Sequence, residues 1–150
     1  MVYVETAEGN PVKVGLEMLS PAKKLADKVT AVVIGGGVAD AAKEVAKAGA
    51  DQVICVDSED YKEFNLDAYA QVLVELVKEE NPEAVFVGGT QDGKDIAPIV
   101  AAKCNTGCAS DVLDIKAEDG EVIYTCPLYG GTVLEDVKIK TTPQVAPLRS

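Results

Sequence analysis

Gly88 and Gly93 stand with four residues between them, and Lys94 follows directly. That spacing approaches the phosphate loop G-x4-G-K-[ST], where backbone N–H groups cradle phosphates, the lysine reaches the outer ones and the hydroxyl holds magnesium. Position 95 is Asp, so the hydroxyl is missing, and Asp92 and Asp95 flank the lysine that an anion would need. A second turn, Gly35-Gly36-Gly37-Val38-Ala39-Asp40, approaches the dinucleotide fingerprint G-x-G-x-x-G. It places Asp40 where glycine or alanine is required, and a carboxylate beside a pyrophosphate at a helix N-terminus is repulsive. Each turn reads either as a degenerate nucleotide site or as a tight strand-to-helix corner. The second glycine pair of stress-protein ATP modules, ending in Gly-Ser or Gly-Thr, has no counterpart, because Gly107 precedes Cys108.

Other chemistries are excluded by residue type. Histidine is absent, which removes Ser-His and Cys-His nucleophile pairs, imidazole metal ligands and histidine acid-base catalysis. The cysteines are Cys55, Cys104, Cys108 and Cys126. Cys104 and Cys108 are four apart, whereas zinc sites pair C-x2-C knuckles or recruit His, and an iron-sulfur cluster needs four converging thiolates. Cys55 and Cys126 lie in apolar, strand-like runs, so the four read as buried free thiols of a reducing compartment. Tyr129-Gly130-Gly131-Thr132 is a tight corner carrying an aromatic ring. It reads as a hairpin turn or as a surface contact, since tyrosine buries its ring while satisfying its hydroxyl.

The elements around these residues follow from periodicity. Val2 to Thr6 alternates as a strand, and Glu8-Gly9-Asn10-Pro11 is a turn. Val12 to Lys28 has a helical pattern in which Leu16, Leu19 and Leu25 share a face. Ser20-Pro21 either starts a new helix or kinks a single one. Thr30 to Ile34 and Gln52 to Val56 are short buried strands, with a helix over Val38 to Ala48 capped by Gly49. Asn65 caps a helix from Leu66 to Glu80 whose apolar face is Tyr69, Val72, Leu73, Leu76 and Val77. Ala84 to Val87 is the next strand; it ends in Gly88-Gly89, a polar turn runs from Thr90 to Lys94, and a helix follows over Asp95 to Cys104. Strand-helix alternation with near-continuous apolar strands predicts a parallel sheet covered on both faces. The pattern then changes. Val112 to Ala117, Glu121 to Cys126 and Thr132 to Lys140 are strand-like with no helix between them. Asp119-Gly120 and Gly130-Gly131 supply hairpin signals, so an antiparallel meander is predicted. Pro143 to Pro147 is a final extended piece.

Bulk composition agrees with one α/β domain. The 150 residues are 47% hydrophobic and 26% charged, ordinary for a globular chain. Net charge is −11, from 14 basic against 25 acidic residues. That balance lacks the basic footprint of a nucleic-acid or anionic-membrane partner. No apolar run approaches the ~18 residues of a membrane span, and the N-terminus has no signal-peptide pattern, which predicts a cytoplasmic location without membrane insertion.

Several features occur in one order: VETAEGNPVKVGLEML, AVVIGGGV, AGADQV, VFVGGTQDGKDIAPIVAAKCNTGCASDV, CPLYGGT and TTPQVAPLR. Together they resemble the N-terminal domain of the electron transfer flavoprotein alpha subunit over essentially the whole chain. The most specific pieces are Gly88-Gly89-Thr90, Gly93 to Pro98, Thr106-Gly107, Asp111 and Tyr129-Gly130-Gly131. Pro21 and the ending Ala146 to Ser150 depart from the family's usual pattern. The resemblance implies a three-layer Rossmann-like parallel sheet, adenine nucleotide alpha hydrolase-like, with a C-terminal antiparallel strand meander. It implies a single domain over 1–150 that is the non-flavin half of the subunit, the FAD-binding domain beginning where this sequence stops. It further implies pairing with a beta subunit, electron flow from flavin dehydrogenases to an acceptor, and no catalytic site, cofactor or metal in this half. Gly88, Gly89, Thr90, Asp111, Tyr129, Gly130 and Gly131 are the candidate interface residues. A stand-alone adenine-nucleotide-binding module is the alternative reading.

Overall fold

Short runs of β-branched and small apolar residues build one five-stranded parallel sheet. The computed structural model describes residues 1–150. In chain order the elements are β1 (Val2–Tyr3), β2 (Thr6–Ala7), β3 (Asn10–Pro11), α1 (Lys13–Leu25), β4 (Thr30–Gly35), α2 (Ala39–Lys47) and β5 (Gln52–Asp57). Then come α3 (Leu66–Glu80), β6 (Ala84–Gly88), α4 (Gln91–Lys103), β7 (Asp114–Glu118), β8 (Glu121–Leu128), β9 (Val133–Val137) and β10 (Gln144–Leu148). The sheet runs β10-β6-β1-β4-β5, all parallel, and β7-β8-β9 form the separate antiparallel meander. Asp119-Gly120, both at positive φ, make the tight turn between β7 and β8.

Alternation along the strands divides the core in two. Val2, Val4, Ala31, Val33, Phe86, Ala146 and Leu148 face α1, α2 and the meander. Tyr3, Val32, Ile34, Val85, Val87 and Val145 face α3 and α4. The meander is held by Tyr124, fully buried, whose ring meets Phe86 edge-on at 6.3 Å and whose hydroxyl donates to Gln144 Oε1 at 2.8 Å. No helix is long and apolar enough to cross a membrane.

Five expectations need correction or completion. The interrupted N-terminal pattern is a single helix, α1, whose buried Val14, Met18, Leu19 and Ala22 continue on both sides of the exposed Pro21. The segment Val2 to Thr6 is two strands: β1 ends, and Thr6–Ala7 turns into a hairpin with Asn10–Pro11. The terminal extended piece is the fifth strand of the parallel sheet. β10 pairs only with β6, and on its outer edge the carbonyls of Val145 and Pro147 accept from Ala109 and Val112 N–H at 2.9 Å each. Pro147 therefore sits where its missing N–H breaks no ladder bond with β6. Cys55 is exposed, not buried. It lies on edge strand β5, whose apolar side chains are only partly covered. Cys104 and Cys108 are half-buried, Cys126 is buried, and all four are free thiols.

The last correction lies at the glycine corner. α4 begins at Gln91, four residues before the expected start, so most of the polar turn Thr90 to Lys94 is the helix's first turn. Thr90 caps it, its hydroxyl accepting from Gly93 N–H at 3.0 Å. The early start needs glycine at 93: a Cβ there would lie 1.8 Å from the Gly88 carbonyl oxygen. Gly93→Ala is expected to destabilise the domain by at least about 3 kcal/mol in urea unfolding, the upper range for an overpacked site; an unchanged midpoint would refute the close approach.

Candidate functional site

Open parallel sheets bind ligands outside the carboxyl ends of their strands, where the strand order reverses. Here β1 leads through α1 to β4 on one side, while β6 lies on its other side, so the reversal falls between β1 and β6. Glu5 follows β1 and Gly88-Gly89-Thr90 ends β6. The Thr90 hydroxyl lies 2.9 and 2.7 Å from the two Glu5 carboxylate oxygens. It donates to the carboxylate and caps α4 at once. The crevice where a phosphate would meet the positive end of α4 thus holds the chain's own carboxylate. Burial raises the Glu5 pKa above the ordinary range; the Thr90 hydrogen bond opposes the rise and the nearby Asp92 charge adds to it.

The other glycine turn is filled in the same way. Gly37 N–H donates to Asp57 Oδ1 at 2.8 Å, and α2 starts behind Val38 with no side-chain cap and with Asp40 in its first turn. The lysine of the phosphate-loop pattern is also diverted. Lys94 Nζ is 3.8 Å from Asp111 Oδ1, while Asp95 accepts from Gln91 Nε2 at 2.9 Å. Each turn has a donor that a side chain of the protein already holds, Gly37 N–H by Asp57 and Gly93 N–H by Thr90.

Gly88, Gly89, Thr90 and Asp111 come together in one knot. Gly89 N–H donates to the Leu148 carbonyl at 2.7 Å, and a Cβ on Gly89 would sit 3.0 Å from that oxygen. Asp111, at positive φ, receives Arg149 through two bonds of 2.6 and 2.5 Å. The guanidinium holds the Asp111 pKa below its usual value, with Lys94 adding to the effect. Thr106 and Gly107 form a second tie, to the loop before β10: Thr106 Oγ1 donates to the Pro143 carbonyl at 2.8 Å, and Gly107 N–H donates to Thr141 Oγ1 at 3.0 Å. Tyr129, Gly130 and Gly131 lie apart from the knot, at the β8–β9 hairpin tip. Tyr129 is 84% exposed, and Leu128, Val133 and Leu134 beside it are exposed too. This is an apolar patch with no partner within the chain.

Glu5, Tyr3 and Arg149 belong to no catalytic or binding motif in the sequence. Glu5 carried one local signal, a carboxylate at the carboxyl end of an apolar strand. Its partner Thr90 is 85 residues away, and nothing local points to it.

Residues 1–150 match the family model described as the electron transfer flavoprotein domain. The chain is 37% identical over 148 residues to an electron transfer flavoprotein subunit alpha from Syntrophomonas wolfei, covering 99% of this chain and 47% of that protein. It is 36% identical over 155 residues to protein FixB of Clostridium saccharobutylicum, covering 99% and 46%. It is 39% identical over 164 residues to an acryloyl-CoA reductase electron transfer subunit beta of Anaerotignum propionicum, covering 91% and 45%. The chain thus spans just under half the length of these relatives.

The Glu5 geometry has a thermodynamic consequence. A carboxyl whose folded pKa is raised binds its proton more tightly in the folded state, so its stabilising contribution is present below the unfolded pKa and is lost as pH rises through the folded one. Glu5→Gln keeps an acceptor for Thr90 without the charge. We expect a higher Tm than the parent at pH 7, with the gap closing below about pH 4.3, the ordinary glutamate pKa. A Tm at pH 7 below the parent's would show that the ionised carboxylate stabilises the crevice.

Proposed function

The chain belongs to the electron transfer flavoprotein domain family, and we propose that it is the scaffold half of an alpha subunit. In this reading it pairs with a beta subunit and supports FAD-dependent electron transfer from flavin dehydrogenases to an acceptor, acting as a carrier component without a catalytic site of its own. The observation that carries it is the family match across residues 1–150, together with relatives named as electron transfer subunits over the same span.

The geometry supports a supporting role. The crevice beside Glu5 has a volume of about 330 Å³, at the small end of ligand pockets, roughly 300–1,000 Å³. Its charged lining is Glu5, Glu8 and Asp92 against Lys62, and the Gly37 N–H that would meet a pyrophosphate is bonded to Asp57. A larger groove of about 990 Å³ lies at the amino ends of the strands. There Leu25 and Glu80, the last residues of α1 and α3, line it together with Glu83, Glu121, Lys28, Lys138 and Lys140, and helix C-termini repel phosphate. The small acidic crevice and the helix C-termini of the larger groove disfavour the pyrophosphate of a flavin dinucleotide, and we place FAD elsewhere in the assembled protein. The same carboxylates disfavour the stand-alone adenine-nucleotide module. Four unpaired cysteines agree with a cytoplasmic, reducing setting.

The hairpin tip is the proposed contact for beta, because an exposed tyrosine among aliphatic side chains has the composition of an interface anchor. We expect the purified chain to be colourless, to give no heat on titration with AMP or ATP, and to co-elute with the beta subunit. Tyr129→Ala should weaken that association by roughly 2 kcal/mol, the scale of an interface hot spot, without lowering Tm. A flavin-yellow chain or failure to co-elute would each defeat the proposal.

A further inference from the structure

Tyr3 stands out among the tyrosines. It is 2% exposed, yet its hydroxyl has no hydrogen-bond partner in the protein, while those of Tyr69 and Tyr124 donate to the Tyr61 carbonyl and to Gln144. No polar side-chain atom sealed from solvent lacks a partner, so the Tyr3 oxygen opens onto the crevice that its residue lines. Around it stand Glu5 and Asp92, whose charges both act on the phenol. Glu8 and Lys62 are the other charged groups lining this space, and Phe64 and Tyr69 supply aromatic walls. Three carboxylates face one ammonium. Two of the groups that would welcome an anion are already engaged: Gly37 N–H by Asp57, and the Thr90 hydroxyl, which caps α4, by Glu5.

We propose that this crevice binds a small guanidinium-bearing molecule, held between the Glu5 and Asp92 carboxylates and the Tyr3 hydroxyl oxygen. A guanidinium carries donors only, in one plane, so it can serve two carboxylates and the phenol oxygen together. Its flat face suits the edge of an aromatic pocket. A crevice of about 330 Å³ admits a ligand of this size. A cation site at this strand-order reversal goes beyond any part played in the electron carrier.

Titration of the isotope-labelled protein with methylguanidinium tests this, with urea as the neutral isostere and AMP as the anionic control. The expected result is saturable binding of methylguanidinium, with shifts confined to the amides of Tyr3, Glu5, Gly36 and Asp92, and no such shifts from urea or AMP. Glu5→Gln should weaken binding at least ten-fold and Tyr3→Phe about three-fold. If Glu5→Gln does not fold, Asp92→Asn carries the same expectation. Equal shifts from urea, shifts spread over the acidic surface that sodium chloride reproduces, unchanged affinity in the folded variants, or preferential binding of AMP would each overturn the assignment.

Discussion

The Gly88 carbonyl and the Gly93 backbone approach more closely than any side chain allows, and much of the upper edge of this domain depends on that approach. It lets α4 begin almost at the end of β6 instead of after a loop. With the helix started there, Thr90 becomes a cap whose hydroxyl also reaches Glu5 across the crevice. Lys94 is carried round the first turn toward Asp111. Asp111 in turn holds Arg149, just past β10, and the Arg149 N–H bonds the Val112 carbonyl. One absent methyl group thus joins the ends of three parallel strands to the segment leading into the meander.

The electrostatic result is a nucleotide-type fold whose anion positions are internally neutralised. Helix N-termini and glycine turns attract negative charge wherever they occur. In this chain Glu5 and Asp57 bring a carboxylate of the protein itself to each corner. The cost is a partly buried carboxylate at the strand-order reversal, whose pKa rises for want of water.

What could be read beforehand was whatever rests on neighbours in the chain. Asn65 announced α3 because its cap bond, to Ala68 N–H, spans three residues. Asp119-Gly120 announced the β7–β8 turn, and the apolar strands announced a sheet with two covered faces. The features missed were set by distant partners. β10 offers five residues, one of them proline, and only its register with β6 makes it a strand of the sheet. Gln91-Asp92-Gly93-Lys94 looked like a loop because it is polar and contains glycine, yet the glycine answers to Gly88. Cys55 sat in an apolar run, but burial of that run depends on whether its strand is central or lies at the edge.

The position of β10 has a further meaning for how the chain reaches this state. β6 is complete by Gly88, but the strand that covers its outer side arrives only after α4 and the whole meander have been made. Until then β6 presents an unpaired backbone edge with Val85 and Val87 on one face and Phe86 on the other. An uncovered apolar edge is a template for pairing with another chain. During synthesis on the ribosome, then, the interval between emergence of β6 and docking of β10 is when this domain is most exposed to misassembly. Once β10 has docked, the tie between Thr106-Gly107 and the loop before it, together with the Asp111–Arg149 pair, holds the late strand at the edge it must cover.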